Sequence, residues 1–199
     1  MQYRNFGKLD WQASALGFGC MRLPTLDGKA GNIDQEKATE MIRTAIEAGV
    51  NYFDTAYVYH DQKSEIALGK ALQGGYRERV RIATKSPIWL LKESADFDRL
   101  LDEQLQRLQT KTIDFYLLHA LNRDSWAKVQ QLDLLRRAEA AKADGRIRYF
   151  GFSFHDNLEA FKQIVDGYQA WDFCQIQYNY MDTTVQAGTE GLQYAAEKG

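Results

Sequence analysis

Five short apolar runs recur along this chain at nearly even steps, and that spacing constrains the fold more than any other feature. They begin at about residues 51, 80, 113, 147 and 173, at steps of about 29, 33, 34 and 26 residues. Tyr52 to Thr55, Val80 to Lys85, Ile113 to His119, Ile147 to Ser153 and Phe173 to Tyr178 are largely continuous in apolar character rather than strictly alternating. Strands of that kind are buried on both faces, as in a parallel sheet covered by helices. A sixth candidate strand, Ala15 to Gly19, precedes them. Each step leaves room for one crossover helix, so the pattern predicts an α/β chain of about six βα units.

The segments between the runs carry a helical period. Ala38, Met41, Ile42, Ala45 and Ile46 fall at i, i+3, i+4, i+7 and i+8 within a helix expected from about Asp34 to Ala48. Asp34 is its expected N-cap and Gly49 its stop. Ile66, Leu68 and Leu72 mark a second helix ended by Gly74-Gly75. Phe97, Leu100, Leu101, Leu105 and Leu108 line a third, from about Ala95 to Leu108. Further helices are expected from Val129 to Asp144, from Leu158 to Val165, and from beyond Tyr178 to Gly199. At 199 residues the chain is long enough for one sizeable domain and too short for two ordinary ones.

Two architectures make such a sheet. A doubly wound nucleotide binder needs a phosphate-binding glycine fingerprint after its first strand. The nearest candidate, Gly17-Phe18-Gly19-Cys20-Met21-Arg22, lacks the third glycine and runs into Leu23-Pro24 rather than a helix. The other architecture is a (β/α)8 barrel, whose site lies at the C-terminal ends of the strands. There the sequence places Asp54, Lys85 and His119 at successive strand ends. Tyr59 lies just past the second strand, Ser153 and His155 at the fifth, and Gln175 and Gln177 on the sixth. Taken singly, each has an ordinary reading: a helix cap for Asp54, a solvated lysine, a buried histidine, a packed tyrosine. Their convergence on one rim points to catalysis.

Composition excludes other classes. With 25 Lys+Arg against 27 Asp+Glu the net charge is -2, so no cationic field exists to hold nucleic acid. No apolar run approaches the roughly 18–20 residues of a membrane span, and Met1 to Phe6 does not open a secretory leader. Two cysteines, Cys20 and Cys174, fit reduced thiols in a cytoplasmic setting. Asp54, His119 and His155 are of metal-ligand type, but no His-x-His or His-Glu-x-x-His pair exists, so no metal is expected.

Three stretches carry a family resemblance. Glu47-Ala48-Gly49-Val50-Asn51-Tyr52-Phe53-Asp54-Thr55-Ala56 followed by Tyr59, then Ile82-Ala83-Thr84-Lys85, then Ile113 to His119, resemble the catalytic motifs of the aldo-keto reductases. The resemblance runs from about Tyr3 to Gly199. Gly151-Phe152-Ser153-Phe154-His155-Asp156 and Trp171 to Tyr180 are more similar to a prokaryotic branch that often carries a C-terminal iron–sulfur extension, absent here.

The resemblance implies a (β/α)8 TIM barrel and reduction of small aldehydes or ketones by a nicotinamide cofactor, NADP(H) ahead of NAD(H). It makes Tyr59 the general acid, Lys85 and Asp54 its tuning pair, and His119 the group that orients the carbonyl. It assigns Ser153, Gln175, Gly19 and Met21 to the cofactor. The family's usual asparagine after that serine is Phe154 here. A potassium-channel β-subunit branch suggests an alternative, a cofactor-sensing binding module without turnover.

A full barrel takes about 250 residues. Residues 1–199 are therefore expected to form one partial barrel that lacks the seventh and eighth strands, with weakened cofactor affinity and without activity when taken alone. An open sheet of this kind is expected to bare an apolar wall, and either to be poorly stable alone or to self-associate through its unpaired edges.

Overall fold

Each apolar run is a strand in the computed structural model, which describes residues 1–199. In chain order, β1 (Tyr3–Asn5) and β2 (Gln12–Ser14) form a short antiparallel hairpin. β3 (Phe18–Gly19), β4 (Tyr52–Asp54), β5 (Arg81–Ser86), β6 (Ile113–Leu121), β7 (Ile147–Phe154) and β8 (Phe173–Ile176) form one six-stranded sheet in sequence order. Every pairing in it is parallel. Helices α1 (Gln35–Glu47), α2 (Ser64–Ala71), α3 (Asp96–Leu108), α4 (Arg123–Gln131), α5 (Leu134–Ala143), α6 (Leu158–Asp166) and α7 (Gly188–Lys198) alternate with the sheet strands. The result is the expected incomplete barrel of six strands.

Local chemistry sets the helix ends. Asp34 caps α1 by accepting from the Lys37 N–H at 3.1 Å. Gly49 stops it at φ +94°, and a side chain there would also strike Tyr3 Oη at 2.8 Å. Ala38, Ile42 and Ile46 face the core as expected, but Met41 is 47% exposed. It borders an apolar recess beside β3 with Leu16, Phe18 and Val50, on the edge where β3 has no partner.

Several boundaries differ from expectation. The single helix read from Val129 to Asp144 is two helices. α4 begins at Arg123, where Asn122 and Ser125 form a reciprocal capping box, each side chain accepting from the other's N–H at 2.8 Å. The chain then turns through Asp133 at φ 52°, which lets Val129 and Leu134 both reach the core. The first sheet strand is only Phe18–Gly19, because Ser14 Oγ bonds Leu16 O at 2.7 Å and folds the preceding residues into a turn. β8 stops at Ile176, with Gln177 and Tyr178 exposed.

The sheet has two apolar faces. Outward, Phe53, Ile82, Tyr116, Leu118, Phe150, Phe152 and Phe154 pack with Ile42, Leu68, Leu101, Val129 and Phe161 of the helices. Inward, Ala83, Phe115 and Leu117 are fully buried against Phe6, Leu9, Trp11, Tyr52, Tyr149 and Phe173. The inner wall expected to be bare is therefore covered here. The β1–β2 hairpin folds its connecting aromatics under the sheet, with Phe6 and Trp11 at 5.0 and 5.4 Å from the Phe115 ring. Strands of three residues are too short to show a period, so the hairpin was invisible in the sequence.

Where β7 meets β8, Gly151 is required. A Cβ there would lie 2.3 Å from Phe173 O. The edges β3 and β8 each have one neighbour, as expected for an incomplete barrel. Beside β8 lies a cavity of about 330 Å³ lined by Phe152, Trp171, Phe173, Cys174 and Leu192. Both cysteines are free. No helix is long and apolar enough to cross a membrane.

Candidate active site

The inward side of each strand changes character along its length. Tyr52, Ala83, Leu117, Gly151 and Phe173 lie on the plugged side. Two residues on, at the next inward position, stand Asp54, Lys85, His119, Ser153 and Gln175. The apolar half anchors the sheet, and the polar half forms the floor of a site at the C-terminal rim.

Lys85 is its centre. The side chain is 2% exposed, and Nζ donates to Asp54 Oδ1 and Oδ2 at 2.6 and 2.7 Å and to Thr55 O at 2.8 Å. Nζ also lies 3.5 Å from Tyr59 Oη. Asp54 caps no helix: the residue at the N-cap of α2 is Lys63, and no side chain caps that end. Burial pushes the Asp54 carboxyl upward from its ordinary value, and the adjoining Lys85 ammonium opposes that shift. A buried ammonium is retained only with such partners.

Lys85 is gripped from behind as well. Its carbonyl accepts from Gln104 Nε2 at 3.1 Å. Gln104 is fully buried and also donates to Glu65 Oε1 at 2.6 Å, while its own Oε1 accepts from Tyr116 Oη at 2.7 Å. Glu65 accepts from Thr84 Oγ1 at 2.6 Å, and burial raises its carboxyl above the usual range. Nothing in the sequence distinguishes Gln104 from other helical glutamines.

His119 stands across the site. The Tyr59 and His119 rings are 6.0 Å apart, edge to face. Burial, the Lys85 ammonium and His155 together bring the imidazole down to about 3, so it is neutral at pH 7. Its aim depends on an irregularity in β6. Ala120 adopts φ 53°, the pairing with β7 shifts register between Leu118 and Leu121, and Ser153 Oγ accepts the Ala120 N–H at 2.8 Å. Trp89 lies 5.1 Å from His119 and is half exposed, an aromatic wall the sequence reading did not single out. Its position two residues past Pro87, where β5 has ended, was the available signal.

Tyr59, Lys85, His119, Ser153 and Gln175 line one cavity of about 200 Å³ together with His155. Gln175 lies beside Asp54, and its Oε1 is buried without a partner. Three expected site residues do not line that cavity: Gly19, Met21 and Asp54, the last of which reaches it through Lys85. Gly19 ends β3 on the same rim, with open space where a Cβ would be, and Met21 is 49% exposed in the turn that follows. The side chains of Asp54, His119 and His155 do not gather as ligands, and no group of three or more His, Cys, Asp or Glu is placed to hold a metal ion.

The sequence model of the aldo/keto reductase family matches residues 15–199. The chain belongs to that family. Among curated relatives it is 32% identical over 162 residues to the oxidoreductase YqkF of Bacillus subtilis, covering 77% of this chain and 49% of that one. Among solved structures it is similar to the holo form of aldo-keto reductase AKR11C1 from Bacillus halodurans, with TM-score 0.70 and 31% identity over 89% of this chain and 58% of that one. It is also similar to an aldo-keto reductase from Klebsiella pneumoniae solved with NADPH, with TM-score 0.67 and 28% identity over 87% and 57%. The chain thus spans about half the length of these relatives.

Proposed function

We propose that this site reduces aldehydes or ketones to alcohols, with Tyr59 as proton donor and NADP(H) as the source of reducing equivalents. One observation carries the reading. A phenol, a buried ammonium held by a carboxylate, and a neutral imidazole converge on one cavity at the strand ends, in a chain of this family.

A nicotinamide cofactor, when bound, supplies the hydride. The residues present fit its amide. Gln175 offers a buried acceptor without a partner, and Ser153 keeps its hydroxyl hydrogen to donate after accepting from Ala120. Gly19, with open space at the rim, suits close approach of a ligand, and Met21 flanks it. The Klebsiella pneumoniae relative, solved with NADPH, supports NADP(H).

Reduction places negative charge on the carbonyl oxygen, which needs a donor within hydrogen-bond reach. The Tyr59 hydroxyl gives its proton. The charge left on its oxygen faces the Lys85 ammonium, an interaction of roughly 4 kcal/mol at about 4 Å and an effective dielectric near 20. Asp54 holds that ammonium in place through two hydrogen bonds. His119, neutral, orients the carbonyl by a hydrogen bond without contributing charge of its own. Trp89 walls the approach beside it.

Tyr59→Phe tests the reading. Aldehyde-dependent NADPH consumption should fall by about 10²–10⁴, while NADPH still quenches tryptophan fluorescence as in the parent chain. An undiminished rate refutes the assignment.

The apolar recesses beside β3 and β8 support self-association of this chain through its open edges, and the free thiols support a reducing, cytoplasmic setting. Sedimentation velocity is expected to show concentration-dependent dimers or larger species. A monomer throughout refutes self-association.

A further inference from the structure

We propose that His60 is a positioning residue for Tyr59, fastening the turn that carries the phenol to the loop that follows β3. The proposal rests on the reading of Tyr59 as proton donor and adds the residue that holds it in place.

The backbone after Tyr59 is unusual. His60, Asp61 and Gln62 all adopt positive φ, at 51°, 50° and 67°. Residues with a Cβ avoid this region, and the turn contains no glycine, so something outside it must hold the conformation. Its own hydrogen bonds close only the ends. The Lys63 N–H bonds His60 O at 2.9 Å, and the Ser64 N–H bonds Tyr59 O at 3.2 Å.

The external hold comes mainly from one ring. His60 is buried, at 8% exposure. Its Nε2 accepts from the Leu23 N–H at 2.9 Å. That contact puts the ring proton on Nδ1, which donates to Ala30 O at 2.8 Å. A single side chain therefore grips the loop at Leu23 and again at Ala30. Two contacts flank it. Ser64 Oγ donates to Cys20 O at 2.9 Å, and the backbone at Gly31 passes so close that a Cβ would lie 2.9 Å from Asp61 Oδ2.

Tyr59 needs this support. Its hydroxyl has one polar partner, Lys85 Nζ, at the long distance of 3.5 Å. Such a contact does not fix a ring. The main chain on either side of Tyr59 must do so, and His60 anchors that main chain to a second loop. The same loop begins at Gly19 and Met21, so the rim and the phenol are held as one unit.

The test reads ring position rather than turnover. In the 199-residue chain, the nuclear Overhauser contact between the Tyr59 and His119 rings (centroids 6.0 Å apart) reports placement of the phenol. The contact between Phe97 and Tyr116 (5.6 Å) reports the folded core. His60→Gly relieves the φ constraint but removes both grips. It is expected to reduce the first contact more than twofold and leave the second unchanged. His60→Asn retains a donor toward Ala30, and His60→Gln an acceptor toward Leu23, so each is expected to restore part of the contact. Full Tyr59–His119 intensity in folded His60→Gly overturns the proposal. If that variant does not fold, full intensity in both His60→Asn and His60→Gln overturns it. Because no turnover enters this readout, failure of the reductase reading on Tyr59→Phe would be a separate result.

Discussion

Lowering the pH from 7 to 5 is expected to destabilise this fold by about 2 kcal/mol through His119 alone. Burial, Lys85 and His155 hold its imidazole down to about 3, against an ordinary 6.5. The unfolded chain takes up a proton on His119 near pH 6.5, and the folded chain does not until near pH 3. The stabilisation is therefore intact above 6.5 and is lost as the pH falls toward 3. At pH 5 the unfolded state has gained about 1.5 decades of proton affinity over the folded one, and each decade is about 1.4 kcal/mol. The assay is urea unfolding at both pH values, for the parent chain and for His119→Gln, whose amide does not titrate. Titrating groups remote from His119 act alike in both proteins and cancel. The parent's pH-dependent loss should exceed the variant's by about 2 kcal/mol, or about 1 M in midpoint at a slope near 2 kcal/mol/M. Equal losses would mean that His119 is protonated or solvated in the fold, and the neutral orienting role would fall with it.

Two further substitutions probe the scaffold. Gly151→Ala forces a Cβ to within 2.3 Å of Phe173 O and must push β7 from β8. It is expected to cost about 3 kcal/mol or more, seen as a melting temperature lower by roughly 6 °C or more. Asp114 is 1% exposed and takes Arg77 at 2.7 Å, Arg81 at 3.2 Å and the Ile82 N–H at 3.1 Å. Asp114→Asn leaves three arginines, Arg77, Arg81 and Arg148, facing a neutral group and should cost about 3 kcal/mol in urea unfolding.

The sheet was readable because its strands are apolar on both faces, a constraint written into five separate runs. The site was readable for a related reason. Asp54, Lys85 and His119 interrupt apolar strands at their ends, where burial makes a charge or an imidazole conspicuous. Ser153 and Gln175 stood out on the same grounds. What escaped notice depends on contacts distant in sequence. Gln104 is an unremarkable helical residue until its amide meets Lys85 O and Glu65. His60 carries no signal in the sequence, since neither the φ run nor its contacts with Leu23 and Ala30 can be inferred from its neighbours. The break at Asp133 lies in a continuous helical period, and only packing on both sides of it explains the turn. Gly19 and Met21, assigned by resemblance, reach the rim but not the cavity lined by Tyr59, Lys85, His119, Ser153 and Gln175.

The hairpin plug also sets the order in which the chain can finish folding. Phe6 meets Phe173 at 6.0 Å, and Lys8 Nζ donates to Lys198 O at 2.8 Å, so the hairpin packs against β8 and α7, elements far from it in sequence. Their docking closes a loop that takes in most of residues 1–199, and loop-closure entropy opposes it until β8 exists. Helices α1 to α6 and the central strands form from neighbours in sequence. The plug is thus slow relative to those local units, and the inner faces of Phe115 and Leu117 stay uncovered until it docks.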